Sequence, residues 1–379
     1  MSKRADGESS IYKDDDGRWH GYVSMGLKRA GQRDRRHVSG LKRADVVTKV
    51  RDLEQKRDSG TTNDAGKSPT VEAWLDHWLD TIAARRVRPR TLEGYRSRLK
   101  THVIPALGHH RLDRLQPEHV EAFYAECEAG GMASASVLQN HRILSRALKV
   151  AMQRGKIARN VCTLVDAPSL QRAEVEPLTA VEARKLLTAA KGQRNAARWS
   201  VALALGLRQG EALGLGWEDV DLEASTLTVR RALQRQKDAG LVFVEPKSKA
   251  GRRTIALPAP LRDSLRSHRT AQLEERMAAG SLWQEHGLVF AQVNGKPIEP
   301  RADWQAWKDL LKVAEVRNAR LHDARHTAAT LLLLQGTSAR VAMQVLGHSQ
   351  ISLTLGTYSH VVPELAQEAA ERMGAALWG

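Results

Sequence analysis

The stretch LHDARHTAAT at residues 321–330 carries residue types that could bind either a metal ion or a phosphate. His322 and His326 are four residues apart, so on a helix they share a face, and Asp323 stands where a zinc protease of the H-E-x-x-H type carries glutamate. His322 and Arg325 are three residues apart, which on the same helix makes a cationic pair able to bind two oxygens of one phosphate. The stretch alone leaves both interpretations open.

Four other side chains that could take part in a reaction lie in the same half of the chain. Arg208, in ALGLRQGEALG, is expected at the end of an apolar helix, and Lys249, in EPKSKAGRRTIALP, is expected in a turn between strands. His348 follows Leu-Gly, and Tyr358 is the only tyrosine in the last 250 residues. Each has a simple structural explanation when taken alone, such as an ion pair between Arg208 and Glu211 at i+3.

The ordered set resembles the tyrosine recombinases of the phage integrase family. The similarity includes Gly-Leu-Arg with Glu211, His-x-x-Arg, Leu-Gly-His and Thr-Tyr, in the order of the family's boxes. The upstream regions also resemble this family's helical core-DNA-binding domain and the small sheet domain that binds arm-type sites. The likeness therefore covers nearly all 379 residues.

The resemblance implies that Tyr358 is the nucleophile, which breaks a DNA phosphodiester in line and leaves a 3′ phosphotyrosine. That bond stores the energy for rejoining, so neither ATP nor a metal nor another cofactor is expected. GTTNDAGKS at residues 60–68 only imitates a phosphate-binding loop, because five residues separate its glycines where four are required. Since a phenol has a pKa near 10, about one in a thousand is ionised at pH 7, and Tyr358 needs help from its neighbours.

The same resemblance implies the roles of five neighbours. Arg208 and Arg325 would bind the scissile phosphate, and His348 would hydrogen-bond it. Lys249 would protonate the leaving 5′ oxygen, and His322 would assist proton transfer involving the tyrosine.

Two alternatives inside the site remain to be weighed. Lys247 lies in the same turn as Lys249, and either could be the catalytic lysine. We favour Lys249, because Arg253 follows it at the spacing seen in the family. A zinc site made by the two histidines of residues 321–330 with His348 would leave the arginines, the lysine, the tyrosine and the net charge unexplained. We therefore predict a phosphate clamp with no metal, and for His326 either a packing role or a role in supporting the residues of the clamp.

Bulk properties favour a polyanion as the partner. The chain has 59 Lys and Arg against 43 Asp and Glu, a formal net charge of +16, spread over the whole length. Two cysteines exclude a disulfide framework, and no apolar run approaches the roughly 18 residues that span a bilayer. We expect a cytoplasmic protein of a bacterial host, associated with the nucleoid and not with a membrane.

Periodicity and turn residues predict a multidomain fold: a small β-sheet with one helix, then an all-α domain, then a mixed, mainly α domain with a small antiparallel sheet. The predicted parts are an arm-type DNA-binding domain of three strands and a helix at 1–58, a linker at 59–69, a helical core-DNA-binding domain at 70–165, a linker at 166–176 and a catalytic domain with a C-terminal tail at 177–379. The helix of the first domain is predicted at 43–58, and the strands of the last domain are predicted at 226–233, 241–245 and 253–257.

Basic side chains on the two upstream domains are candidates for contact with the DNA backbone. A helix is expected to start with Thr91 as its cap, in a run rich in arginine. The candidates are Arg18, Arg35 and Arg36 in the sheet domain and Arg88, Arg90, Thr91 and Arg96 in the helical domain.

These observations predict a site-specific DNA recombinase, the integrase of a phage or integrative element. The expected partners are double-stranded DNA attachment sites and three further copies of the chain, in a homo-tetramer on two duplexes with the helical tail after Pro363 docked in trans. A DNA-bending accessory protein and a directionality factor are further candidates, and the sequence does not say whether either is needed. The alternatives are a type IB-like topoisomerase, which shares the chemistry, and a non-catalytic DNA-binding regulator on the same fold.

Overall fold

A computed structural model of the chain describes residues 9–27, 33–58, 68–170, 176–246, 249–347, 370–371 and 373–378. Two units are distinguished, residues 1–172 and 173–379, and each is described by itself. Most of the predicted first linker and part of the second lie outside the described residues. So do Lys247, His348, Tyr358 and the predicted start of the tail helix at Pro363.

The first unit begins with an antiparallel sheet in the order β1-β2-β3, followed by helix α1. Their bounds are Ser10–Lys13 for β1, Trp19–Leu27 for β2, Arg33–Gly40 for β3 and Arg43–Asp58 for α1. Val46 and Val50 of α1 are buried with Val23 of β2, and a Cβ added at Gly21 would stand 2.5 Å from Val50. The glycine therefore lets the helix approach the middle strand closely.

The rest of the first unit is helical. The elements are α2 at Val71–His77, α3 at Pro89–Arg98, α4 at Ile104–Leu107, α5 at Pro117–Ala129 and α6 at Ser134–Gln153, with π-helical turns at Trp78–Ala83 and Leu99–Val103. Trp74, Leu75 and Trp78 are buried as their spacing predicts.

The prediction that Thr91 caps a helix is wrong. Helix α3 starts three residues earlier, with Arg88 as N-cap and Pro89 as its first residue. Proline fixes the backbone for a helix start and holds the preceding residue extended, as Arg88 is at φ −65° and ψ 151°.

Within the described residues of the second unit, seven helices have defined bounds, and residues 370–371 and 373–378 are also helical. The seven are α7 at Ala180–Ala190, α8 at Ala196–Leu205, α9 at Gln209–Leu213, α10 at Ala259–Ala279, α11 at Pro300–Val313, α12 at Leu321–Leu334 and α13 at Ala339–Leu346. One core lies between α7, α8 and α11 and contains Trp199 and Trp307, while a small cluster joins α12 to α13 through Ala328 and Leu346.

Five short strands of this unit form two antiparallel sheets, where the sequence predicted one. The strands are β4 at Val220–Asp221, β5 at Thr226–Val229, β6 at Ala232–Gln236, β7 at Gly240–Val244 and β8 at Arg253–Ala256. The sheet orders are β4-β5-β8 and β6-β7, so the strand predicted at 226–233 is divided between them. The division follows from the packing of β6 on α9, where Gly210 and Gly214 let the backbone of Leu233 come close. A Cβ added at Gly210 would stand 2.7 Å from the carbonyl oxygen of Leu233, and one added at Gly214 would stand 2.8 Å from its backbone nitrogen.

None of the helices in the described ranges combines the length and the apolar character that crossing a membrane requires.

Candidate active site

Arg208 lies at the start of a helix and not at the end of one, as the sequence suggested. Helix α8 ends at Leu205, and Gly206 takes a left-handed conformation with φ 61°, which a side chain would strain. A Cβ there would also stand 2.7 Å from Leu346. Arg208 then becomes the N-cap of α9, and its backbone N–H donates to Glu211 at 3.1 Å.

The side chain of Arg208 is held by two acceptors while it stays open to solvent. Its Nη1 donates to Glu211 Oε1 at 2.6 Å, and its Nη2 donates to the carbonyl of Gly347 at 3.2 Å. The ion pair with Glu211 that the sequence offered is therefore present. Because 42% of the Arg208 side chain remains exposed, the ion pair orients the guanidinium without enclosing it.

Arg325 enters the site from the first turns of α12. Its Nη1 donates to the carbonyl of Gly206 at 2.7 Å, and its Nη2 donates to the carbonyl of Leu346 at 2.6 Å. The residue is only 2% exposed. These two acceptors are neutral carbonyls, so the two bonds orient the guanidinium without neutralising it.

The C-terminal end of helix α13 is where these contacts meet. The last carbonyls of a helix have no partner within it, and here Val345, Leu346 and Gly347 accept from Arg253, Arg325 and Arg208 respectively. We call these three carbonyls the α13 carbonyl end. The negative end of the helix dipole favours cations at this place. The next residue along the chain is His348.

Glu211 is the buried carboxylate of the site, with a side chain 6% exposed. Burial alone would raise the pKa of Glu211, but hydrogen bonds and charge from Arg253 and Arg208 outweigh it and hold that pKa below its ordinary value. The carboxylate is therefore ionised at neutral pH and binds two guanidiniums at once.

His322 lies on α12 within electrostatic reach of Arg208 and Arg325. Burial, the neighbouring His326, Arg325 and Arg208 together lower the pKa of His322 to about 4. The rings of His322 and His326 meet edge to face with centroids 5.0 Å apart. At neutral pH the His322 imidazole is uncharged, so it can accept a proton.

Asp323, which stands at the glutamate position of the H-E-x-x-H zinc motif, has a structural role instead. Asp323 accepts the backbone N–H of Arg320 at 2.7 Å and Nη2 of the same residue at 2.8 Å, which caps the start of α12. Within the ranges that the structure describes, no three histidine, cysteine, aspartate or glutamate side chains are grouped so that they could hold a metal ion.

The remaining predicted catalytic residues are placed only in part. The backbone of Lys249 lies in a 3₁₀ turn at Lys249–Gly251 between β7 and β8, as predicted, but its side chain is outside the described residues. His348 and Tyr358 are outside them too. The structure thus brings together Arg208, Arg325 and His322.

Comparison with known proteins agrees with this architecture. The catalytic-domain model described as "Phage integrase family" matches residues 176–364, and "Phage integrase, N-terminal SAM-like domain" matches residues 70–127. An integrase of Saccharopolyspora erythraea is 38% identical over 100% of this chain and 98% of its own length, and one of Streptomyces ambofaciens is 31% identical over 97% and 96%. The chain belongs to the phage integrase family. It is a site-specific tyrosine recombinase.

Solved structures confirm the recombinase fold, which is helical with small antiparallel sheets. The Tn1549 transposon integrase in complex with circular intermediate DNA has a TM-score of 0.69 and 22% identity, covering 81% of the recombinase and 100% of that chain. A lambda integrase tetramer bound to a Holliday junction has a TM-score of 0.56 and 19% identity, covering 90% and 96%.

The candidate DNA contacts of the sheet divide between its two faces. Arg35 lies over the ring of Tyr22 at 5.6 Å, on the face that also carries His20 and His37. Arg36 pairs in register with Val23, which is buried against α1, and so points to the opposite face. Arg18 is exposed in the turn before β2.

The candidates of the helical part lie at the start of α3. Arg88 and Arg90 are exposed, and Thr91 is partly buried in the first turn. Arg96 is exposed about two turns further on and forms an ion pair with Asp80 at 2.7 Å. The four therefore share one helix of the recombinase.

Sequence analysis missed the structural role of two residues near the site. Arg253 served there only as a spacing marker, yet it donates to three different segments. Asp303 forms a buried ion pair with Arg198 and accepts from Gln209, next to Arg208. A signal did exist for the helix starts, because Glu211 and Asp323 each stand three residues after the N-cap arginine and accept its backbone N–H.

Proposed function

We propose that this recombinase is the integrase of a phage or integrative element, and that it cleaves and rejoins DNA through a 3′ phosphotyrosine formed by Tyr358. The observation that carries the proposal is the α13 carbonyl end. Arg208 and Arg325 come from different helices and are bonded there to adjacent carbonyls, one residue before His348. A pair of oriented cations at this place suits the charge that develops on a phosphate under attack.

The proposed chemistry assigns each residue one task. Tyr358 attacks phosphorus, while Arg208, Arg325 and His348 bind the non-bridging oxygens. Lys249 gives a proton to the 5′ oxygen as its bond to phosphorus breaks. His322 is uncharged at neutral pH and takes part in proton transfer involving the tyrosine. No metal, ATP or other cofactor enters the step.

We further propose the assembly in which this occurs. Residues 1–58 would bind arm-type sites, 70–165 the core site and 177–379 the cleaved strand, with linkers at 59–69 and 166–176. Four copies would act on two duplexes with the C-terminal tail docked in trans, and the similarity to a lambda integrase tetramer on a Holliday junction supports this. The net charge of +16 supports DNA as the partner.

The test is covalent capture on DNA that contains the attachment site. Candidate DNA from the junctions of the encoding element would be nicked close to the cleavage position, so that the released fragment is lost and cleavage is irreversible. In EDTA we expect a protease-sensitive protein–DNA band on a denaturing gel for the wild type. Tyr358→Phe should bind the DNA and give no band, because the nucleophilic oxygen is missing.

A matched control is Tyr124→Phe, which also removes one phenol oxygen. Tyr124 is 7% exposed, and burial raises the pKa of its hydroxyl, so it cannot serve as a nucleophile and the band should persist. A band from Tyr358→Phe would refute the assigned nucleophile. Wild-type protein that binds the DNA without a band would indicate a regulator, a band that needs added metal would favour the zinc site, and relaxation of DNA without an attachment site would indicate a topoisomerase.

A further inference from the structure

The guanidinium of Arg253 is nearly enclosed, and all three of its nitrogens are bonded. Its side chain is 7% exposed. Nε donates to the carbonyl of Val345 at 2.7 Å, Nη1 to the carbonyl of Gly251 at 3.1 Å and Nη2 to Glu211 Oε2 at 2.9 Å. One side chain therefore joins three separate segments of the second unit.

Each of those segments leads to a residue of the proposed chemistry. Gly251 ends the 3₁₀ turn that starts at Lys249. Glu211 is the acceptor that orients Arg208. Val345 belongs to the α13 carbonyl end, three residues before His348.

Strand pairing does not hold the turn that carries Lys249. The strand before the turn, β7, pairs with β6, whereas the strand after it, β8, pairs with β5 in the other sheet. The turn packs closely on the α13 carbonyl end instead, since a Cβ added at Gly347 would stand 2.8 Å from Arg253 Nη1 and 2.9 Å from the carbonyl oxygen of Ala250.

We propose that Arg253 is a positioning residue for proton delivery, which fastens the Lys249 turn to the segment that holds Arg208 and leads to His348. The inference rests on the proposed function, because it takes Lys249 as the general acid. Arginine suits the task because its planar guanidinium presents donors in several fixed directions, whereas lysine offers a single flexible ammonium.

Substitution of Arg253 should therefore slow cleavage without weakening binding. In single-turnover cleavage at saturating protein, Arg253→Gln should lower the rate constant by about 10- to 100-fold, since a misplacement of about 1 Å can cost that much. The dissociation constant for the same DNA should change by less than about threefold, because Arg253 is buried and bonded within the protein.

A substrate with sulfur in place of the bridging 5′ oxygen separates this role from a general loss of structure. In the normal step Tyr358 loses its phenol proton in a transfer that His322 assists, and its oxygen bonds to phosphorus. The bond from phosphorus to the 5′ oxygen breaks, and that oxygen takes a proton from Lys249. A 5′ thiol has a pKa near 8.5, so sulfur leaves as a thiolate without a proton. We expect Arg253→Gln and Lys249→Ala to cleave the sulfur substrate within about threefold of the wild type.

The matched control is Arg252→Gln on the same segment. The Arg252 side chain is 63% exposed and has a loose ion pair with Glu245 at 3.8 Å, so the variant should cleave both substrates at the wild-type rate. Arg253→Lys keeps the charge and replaces the glutamine variant if that variant does not fold. It should also cleave ordinary DNA slowly and the sulfur substrate at nearly the wild-type rate.

Two results would overturn the role of Arg253. One is cleavage of ordinary DNA by both Arg253 variants at the wild-type rate. The other is slow cleavage of the sulfur substrate by the Arg253 variants when Lys249→Ala cleaves that substrate at nearly the wild-type rate. A wild-type protein that cleaves neither DNA would instead overturn the proposed function, and the role of Arg253 with it.

Discussion

The charged side chains of the site are oriented by acceptors that leave most of their charge intact. Arg208, Arg253 and Arg325 together donate to five backbone carbonyls and to one carboxylate, that of Glu211. A carbonyl orients a guanidinium without neutralising it, so these five bonds position positive charge without cancelling it. Such preorganised charge stabilises an anionic transition state without reorganisation at the moment of reaction.

The same positive charge should be measurable on His322. We expect its pKa, followed by NMR of the ring protons, to lie below the ordinary 6.5 and towards about 4, because burial and the nearby Arg325 and Arg208 disfavour the imidazolium. The residue is partly open to water, which screens the shift. Arg208→Gln should move the His322 pKa upward, since it removes one of the charges.

The sign of this shift also has a consequence for stability. Below pH 6.5 the unfolded chain binds a proton at His322 more readily than the folded chain, so the contribution of this residue is complete above 6.5 and is lost as the pH falls towards 4. A pKa of His322 at or above 6.5 in the folded wild type would contradict the charge arrangement.

At the scale of elements, the buried ion pair between Arg198 and Asp303 joins helix α8 to helix α11. Two parallel hydrogen bonds of 3.0 Å connect them, and the side chains are 1% and 3% exposed. Gln209 donates to Asp303 at 3.1 Å, so the pair also supports the start of α9 beside Arg208.

Removing one partner of this pair should destabilise the second unit strongly. Asp303→Asn keeps the shape and leaves the Arg198 charge buried without compensation, for which we expect a loss of about 3–5 kcal/mol in the free energy of unfolding. Urea unfolding followed by tryptophan fluorescence would measure it, because Trp199 and Trp307 lie in the same helix interface with ring centroids 5.7 Å apart.

An exposed ion pair provides the control for this prediction. Arg266 and Glu223 are 3.3 Å apart with side chains 53% and 92% exposed, so Glu223→Gln should cost less than about 1 kcal/mol. The double variant Arg198→Met with Asp303→Leu should recover most of the stability, since it removes both charges. Equal losses from Asp303→Asn and Glu223→Gln would refute a stabilising role for the buried pair.

The sequence predicted an element correctly where the residues that determine its bounds lie close to it in the chain. Helix α1 has the predicted bounds, 43–58, because its apolar spacing and its preceding turn lie within the same few residues. The start of α3 was missed although Pro89 marked it. The division of the strand at 226–233 could not be predicted, because its cause is the approach of β6 to Gly210 and Gly214, which are distant in sequence.

The candidate site shows the same limit. Residue types in a family order led to the predicted catalytic side chains, which stay a prediction, and the helix at 321–334 places His322 and Arg325 on one element as their spacing requires. The α13 carbonyl end could not be predicted, since backbone carbonyls carry no signal in a sequence and their partners Arg208, Arg253 and Arg325 come from three different segments.

At the scale of the whole molecule, the charge of +16 should make DNA binding depend steeply on salt. Each phosphate neutralised by a lysine or arginine contributes about −0.9 to the slope of log K against log salt concentration. Arg88 and Arg90 are exposed at the start of α3, where we propose contact with the DNA backbone. Because such contacts carry no base information, they should act alike on all sequences.

The double variant Arg88→Gln with Arg90→Gln should reduce the magnitude of the salt slope by about 2, and by a similar amount on attachment-site DNA and on unrelated DNA. Fluorescence anisotropy between about 50 and 200 mM salt would measure it. Arg111→Gln is the control, because Arg111 lies outside α3 and donates to Asp113 at 3.2 and 3.1 Å. An unchanged slope in the double variant would exclude the start of α3 from the backbone contact, whereas a change confined to attachment-site DNA would mean that these arginines contact bases.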